Sequence, residues 1–287
     1  SAYRLVRAVD QMTIPQSVLG VLAARIDRLG EREKRVLQTA AVIGKHVPEP
    51  VLRRVAGVPE AALADALRAL AEAEFLFEDE ARPEPEYVFK HRLTQEVAYQ
   101  SQLLEQRARV HAEVARAFAE LYPDRLNERA ALLAQHWEGA GQPLEAARWS
   151  RRAAEWVRGS NLAEALYHWR NVRARLAEVP EGAERSALAV DACIQLLELG
   201  WRLGMPEDEA AALFAEGEVL AMRSGDVRSL AMLVNVYGTV RGHFGSAEEF
   251  LASSERQKQL LDDARRARDA VQARSAQLSS HFDENER

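Results

Sequence analysis

Lys45 follows Gly44, the pair that ends a phosphate-binding loop, but Thr39 stands where the first glycine is required and His46 replaces the hydroxyl residue. No phosphate can be cradled there. The seven histidines, at 46, 91, 111, 136, 168, 243 and 281, show no metal-ligand spacing, and neither a His-Glu-x-x-His pair nor a Gly-x-Ser-x-Gly elbow occurs. The chain alone is therefore expected to have no catalytic residue, no metal site and no cofactor. One histidine stands in a telling place. Tyr87, Phe89 and His91 alternate with Val88 and Lys90 along a short strand after the turn Arg82-Pro83-Glu84-Pro85, and a helical period starts at once. Thr94 is placed to cap that helix, Glu96 falls in its first turn, and Leu93, Val97 and Leu104 recur at helical spacing.

The elements that position this joint can be read outward from it. Thr13-Ile14-Pro15 sets up a helix with Val18, Leu22, Ile26 and Leu29 on one face, after the short mixed segment Ser1–Val9. A second helix runs through Val36, Leu37, Ala40, Ala41 and Ile43 to Gly44, a residue suited to a left-handed C′ position. Pro48 starts a third, and Pro59 a fourth with Leu63, Leu67 and Leu70 in line. Phe75-Leu76-Phe77 and Tyr87-Val88-Phe89, split by a polar loop with two prolines, read as a two-stranded hairpin. Helices followed by such a wing describe a winged helix. The usual role of that fold is DNA contact, but the third helix carries only Arg53 and Arg54, with Glu49 and Glu60 nearby.

From Thr94 on, only helices are expected. Turn-plus-helix units recur at Gly141-Gln142-Pro143, Ser160-Asn161-Leu162, Gly204-Met205-Pro206 and Gly245-Ser246-Ala247, each followed by Glu and Ala positions. Each resembles the middle of a tetratricopeptide repeat, with irregular spacing. Trp137, Trp149, Trp156, Trp169 and Trp201 read mainly as packing between helices, with a peptide-binding anchor as the alternative. After Ser253 the sequence turns polar, as in a solvated helix.

Composition bounds the function. Of 287 residues, 44 are acidic and 38 basic, a net charge of −6 that argues against a nucleic-acid partner. Cys193 is the single cysteine, so no intrachain disulfide can form, and a cytoplasmic, reducing location is expected. No apolar run approaches the ~20 residues a membrane-spanning helix needs, so no membrane partner is expected. The chain opens on Ser1 rather than Met, which suggests a piece of a longer protein.

The run Phe89-Lys90-His91-Arg92-Leu93-Thr94-Gln95-Glu96-Val97-Ala98-Tyr99 resembles a segment of large bacterial signal-transduction ATPases (STAND or AAA type) fused to class III adenylate/guanylate cyclases. Soluble adenylyl cyclases are similar. Pro15 through Leu29, Leu37 through Gly44, and Arg107 to His111 extend the resemblance over most of residues 1 to about 180. It implies ATP or ADP as cofactor of the parent protein, an upstream ATPase domain as partner, and a protein or peptide partner on the repeats. In related ATPases a histidine at this joint meets the β-phosphate of bound ADP, so His91 is the implied ADP sensor. Their motif often reads Met-His-Asp, whereas Lys90 and Arg92 flank the histidine here, so an Asp-dependent lock is absent. The alternative is a partly buried histidine packed with Tyr87 and Phe89.

Arg25, Asp27 and Arg28 could hold a domain interface or simply form local ion pairs, and Arg107 with His111 could contact a ligand or pack. The expected fold is all-α: residues 1–93 a winged-helix domain with a preceding lid segment and small β-hairpin wing, 94–254 a tetratricopeptide-like helical array, 255–287 a polar helical tail. The expected function is sensing and coupling in an ATPase-linked cyclase. The rivals are the equivalent part of an ATPase transcription activator ending in a helix-turn-helix, and a plain repeat scaffold.

Overall fold

The computed structural model describes residues 16–79, 81, 84–245 and 247–285. The expectations placed on Ser1–Val9, Thr13-Ile14-Pro15, Arg82-Pro83, Ser246 and residues 286–287 lie outside them. The chain divides into two units: the described residues up to Leu126 with Gln135–Gln142, and Asn127–Ala134 with the described residues from Pro143 on. Both are mainly helical, and among the described residues all strands belong to the first.

The first unit runs α1 (Gln16–Asp27), α2 (Glu31–Ile43), β1 (His46–Pro48), α3 (Glu49–Val55), α4 (Glu60–Glu72), β2 (Leu76–Glu78), β3 (Glu86–Phe89), α5 (Arg92–Gln100) and α6 (Leu104–Leu121). Its helices bury the faces that their apolar spacing marks out: Ile26, Leu37, Leu52, Leu63 and Leu70 are all inaccessible, together with Leu76 of the sheet.

The sheet corrects the two-stranded wing. It has three antiparallel strands in the order β1-β3-β2, with Val47 opposite Tyr87 and Phe77 opposite Val88. Three residues ending in proline carry no alternation that could announce β1; the strand exists because β3 offers a second edge. Val88 and Phe89 are both buried, so the alternation grouping Tyr87, Phe89 and His91 does not separate inside from outside.

Three local expectations also change. Gly44 has φ 141° and ψ −164°, a glycine-only region but not the left-handed helical one, which turns the chain from α2 directly into an extended strand. Thr94 is no cap: α5 begins at Arg92, the N-cap position is His91, and Thr94 lies buried inside the helix. Leu104 does not extend α5 either. That helix stops at Gln100, where Ser101 turns its hydroxyl back to the Ala98 carbonyl at 2.8 Å, and α6 starts afresh at Leu104.

α7 (Ala130–Gly139) has residues in both units. The second unit continues with α8 (Pro143–Val157), α9 (Leu162–Leu176), α10 (Ala183–Gly200), α11 (Glu207–Ser224), α12 (Val227–His243) and α13 (Ala247–Asn285). Each of these helices packs on the next, and α10 also meets α12. Their starts follow the sequence: Asn161 caps α9 by accepting from the Glu164 N–H at 3.1 Å, and Asp226 caps α12 through the Ser229 N–H at 3.0 Å. The polar stretch after Ser253 continues α13. Trp169, Leu197, Leu199 and Leu233 are the largest side chains fully buried in this unit's core.

Arginine-to-acid pairs tie α8 to α10 and α9 to α11. To α10 run Arg148–Glu184 at 2.6 Å and Arg151–Asp191 at 3.2 Å from α8, and Arg158–Glu198 at 2.7 Å from the residue just after it. From α9 to α11 run Arg170–Glu209 at 3.3 Å and Arg173–Glu216 at 2.6 Å. Such solvent-facing pairs contribute at most ~1 kcal/mol each, so they set register more than stability.

Gly217 of α11 marks a close approach of three helices. A Cβ there would lie 2.9 Å from Leu233 Cδ2 and 3.1 Å from Cys193 Cβ, the latter too near its own backbone to move aside. Gly217→Ala is expected to destabilise by about 1 kcal/mol, overpacking outweighing the gain in helix propensity. Gly20→Ala in α1, where a Cβ meets nothing within 4 Å, is expected to stabilise by a few tenths to 1 kcal/mol. Denaturant midpoints of the two variants check the opposite signs.

Candidate functional site

Three places in the described residues could meet another molecule: the joint at His91, a buried histidine pair behind it, and a groove in the second unit.

At the joint, His91 has extended backbone, φ −136° and ψ 133°, and its carbonyl accepts from the N–H groups of Thr94 at 3.0 Å and Gln95 at 3.4 Å. Its side chain is exposed and makes no hydrogen bond within the described residues, so the ring is not packed away beside Tyr87 and Phe89. The flanking residues are engaged. Lys90 donates its backbone N–H to the Phe75 carbonyl at 3.2 Å and its ammonium to Glu74 Oε1 at 2.7 Å, and that hydrogen bond and charge hold the Glu74 carboxyl below its ordinary range. Glu74 has φ 62°, a left-handed position at the turn from α4 to β2. Arg25 reaches this turn, donating to the Ala73 carbonyl at 2.8 Å with its guanidinium 4.9 Å from the Phe75 ring centre. Arg25 is thus a brace within the unit, while Asp27 pairs with Lys34 at 2.6 Å.

Near its C-terminal end α5 joins a largely buried polar chain. Tyr99 Oη lies 2.9 Å from His111 Nε2, and His111 Nδ1 lies 3.0 Å from His136 Nδ1. His136 stacks on Phe118, and its Nε2 has no partner among the described residues. Burial, reinforced by the Arg107 charge, pushes His111 down to about 4; burial, then the proximity of His111, pushes His136 down to about 3. Both rings are therefore neutral at pH 7, and one of the two Nδ1 atoms must donate to the other. Arg107 lies 4.3 Å above the Tyr99 ring and donates to Gln100 at 3.2 Å, so Arg107 and His111 pack against the end of α5. Gly139 gives the pair its room, since a Cβ there would sit 2.7 Å from the His111 ring. Sequence reasoning missed His136 and Tyr99 as partners. The available signal was a histidine on each apolar helix face, His111 between Val110 and Val114, and His136 close after Leu133.

The helices that a winged helix would turn toward DNA carry few uncompensated cations. The helix before the β2–β3 hairpin is α4, whose charged residues are Glu60, Asp65, Arg68 and Glu72. Arg53 pairs with Glu49 and with Glu60 at 3.1 Å, and Arg54 pairs with Glu120 at 3.2 Å. Charges so balanced on α3 and α4 do not favour a phosphate backbone along these two helices.

The groove of the second unit is about 760 Å³ in volume and lies along α9, α10 and α11. Its charged rim holds four arginines, at 170, 173, 185 and 223, and three glutamates, at 181, 209 and 216. Arg173 meets Glu216 through two nitrogens, and the pair raises the guanidinium further above its ordinary range. Arg223 pairs with Glu181 at 3.2 Å, and Arg185 Nε donates to the Leu176 carbonyl at 3.1 Å. Leu213, Val219 and Leu220 line the groove from α11, and Val219 is 59% exposed, an apolar side chain left in water. Of the tryptophans, Trp169 is fully buried and Trp156 is exposed.

Among the described residues, no three His, Cys, Asp or Glu side chains form a metal-binding set, and no helix is long and apolar enough to cross a membrane. No family model matches the chain, and no curated protein matches it. Among solved structures the chain is similar to a signal transduction ATPase with numerous domains from Pyrococcus horikoshii that carries a tetratricopeptide repeat sensor. The sequences are 13% identical, the TM-score is 0.29, and the match covers 91% of this chain and 55% of that one.

Proposed function

We propose that this chain is the sensor and coupling part of an ATPase-linked adenylate or guanylate cyclase. The first unit is a winged helix that follows the nucleotide state of an upstream ATPase domain, and the second is a tetratricopeptide-like array that binds a protein or peptide partner. The observation that carries this reading is the groove of the second unit, an apolar strip open to water between two charged rims. Supporting it, the order α2-β1-α3-α4-β2-β3 with sheet order β1-β3-β2 matches a winged-helix arrangement, and the exposed ring of His91 stands free to meet a ligand at the next joint.

Catalysis belongs to the parent protein, since this sequence has no phosphate loop and no cyclase carboxylate pair. The isolated 287-residue chain is expected to show neither ATP hydrolysis nor cyclic-nucleotide formation. Turnover that survives repurification overturns that expectation.

The test of the whole reading uses the reading frame around these residues and the protein it encodes. An upstream phosphate-binding loop and a class III cyclase core, with cyclic-nucleotide output altered by removal of residues 143–285, support it. A downstream helix-turn-helix without a cyclase core replaces it with the transcription activator. Neither, with no nucleotide dependence, leaves a scaffold.

A further inference from the structure

Beyond the joint, the histidine pair and the groove of the repeats, the first unit has a further groove of about 390 Å³ where α3 and α4 meet the sheet. One stripe of α4 gives it its length. Glu60, Ala64, Arg68 and Ala71 recur at helical spacing along the exposed side, while Leu63 and Leu67 are buried beneath them as an apolar floor. Ala64 and Ala71 keep the groove open, because a longer side chain at either position would occupy it. Glu60 and Ala71 lie about 16 Å apart along α4 at 1.5 Å per residue, a length that suits a stretch of polypeptide better than one small cation.

The facing wall is the end of the β2–β3 hairpin. Glu78 stands opposite Tyr87 in the strand register, so their side chains share a face, the same one that carries buried Leu76. Both arginines that line the groove are already matched: Arg53 by Glu49 and by Glu60 at 3.1 Å, and Arg68 by Asp65 at 3.1 Å. Glu78 is not. It is exposed and has no cation or hydrogen-bond partner among the described residues, and the Tyr87 hydroxyl beside it has none either. Burial first, then the charges of Glu78 and Glu49, raise the Tyr87 phenol above its ordinary range, so the hydroxyl keeps its proton at pH 7.

The unmatched carboxylate selects the occupant. An acidic segment would set like charge against Glu78, and a neutral one would cover that carboxylate without pairing it. A segment with one cation meets Glu78 and displaces no existing pair, while its apolar groups lie on Ala64, Ala71 and the leucine floor. A second cation would find no other free carboxylate in the groove. We propose that this groove receives an apolar segment of a partner protein carrying a single arginine or lysine, whose charge pairs with Glu78 beside Tyr87. The groove lies wholly within the first unit, so what the repeats bind does not bear on it.

The test is fluorescence anisotropy with the whole chain and labelled octapeptides of alanine, serine and leucine around one central Arg, Gln or Glu. The Arg peptide is expected to bind about fivefold more tightly than the Gln peptide, and the Glu peptide more weakly than either. Glu78→Gln should weaken the Arg peptide about fivefold and leave the Gln peptide unchanged. Ala64→Phe fills the groove without altering charge and should weaken the Arg and Gln peptides alike by roughly tenfold or more; circular dichroism checks that both variants keep their helix content. Equal binding of the three peptides, or an Arg peptide indifferent to Glu78→Gln, overturns the cation pairing. No binding of any peptide, or binding indifferent to Ala64→Phe, overturns the groove as a docking site. Butylguanidinium binding as tightly as the Arg peptide, or a labelled DNA duplex whose binding is lost in Ala64→Phe, gives the groove to a small cation or to nucleic acid and overturns the protein partner.

Discussion

In the ATPase-linked parent proposed above, His91→Ala is expected to weaken ADP binding by roughly ten- to a hundredfold, the cost of about 1.5–3 kcal/mol for a hydrogen bond to a charged group. ATP binding should change little if the contact is made only in the closed, ADP-bound form, and the conformational equilibrium should then move toward the output-competent state. The position of His91 makes this measurement clean. Its ring is exposed and caps nothing with its side chain, so the substitution should leave the isolated chain's stability within about 0.5 kcal/mol. Calorimetry of ADP binding beside thermal unfolding separates the outcomes. Unchanged ADP affinity in the folded variant removes His91 from nucleotide sensing, and a lowered melting temperature would return it to packing.

Acid is expected to destabilise the first unit well above the range in which its carboxylates titrate. His111 and His136 titrate near 6.5 in the unfolded chain but are held to about 4 and about 3 when folded. Between those values the unfolded chain binds more protons, so stability is fully present above pH 6.5, falls as pH falls through that window, and is fully lost only below about 3. At about 1.4 kcal/mol per unit the two groups together amount to several kcal/mol, shared because each lies against the other. His168 of the second unit is lowered by burial and acts in the same direction there. Amide hydrogen exchange along α6 should therefore accelerate from pH 6.5 to 5, after correction for its intrinsic pH dependence. The double variant His111→Phe with His136→Leu should flatten that response. An equally steep loss in the variant would assign it to other groups.

The parts legible in sequence were those written in local pattern. Phe75-Leu76-Phe77 and Tyr87-Val88-Phe89 announced their pairing because aromatic runs flanked a proline-bearing loop, and Gly204 with φ 80° ends its turn as the small residue there suggested. What escaped depends on partners distant in sequence. β1 is a strand only because β3 has a free side, and His136 matters only because two helices bring it against His111, 25 residues earlier. Thr94 misled for a related reason: its type favours a cap, but the helix starts where β3 releases the chain, and burial claimed the hydroxyl residue. The turn-and-alanine pattern marked where helices of the second unit start, but neither the groove nor its ion-paired rim was legible, because pairing Arg173 with Glu216 requires knowing that α9 and α11 stand as neighbours across α10.

The arginine-to-acid ties carry an implication for how the array can be rebuilt. In α8 with the residue after it, and in α9, the partners in these ties are all arginines, and in α10 and α11 those that receive them are all acids. The helix pairs are thus ordered by sign, like plugs followed by sockets. Duplicating α8–α9 in place would set guanidinium against guanidinium, and exchanging the two pairs would strand the acids. An engineer shuffling these modules, or a genome duplicating them, must recode charge along with copy number.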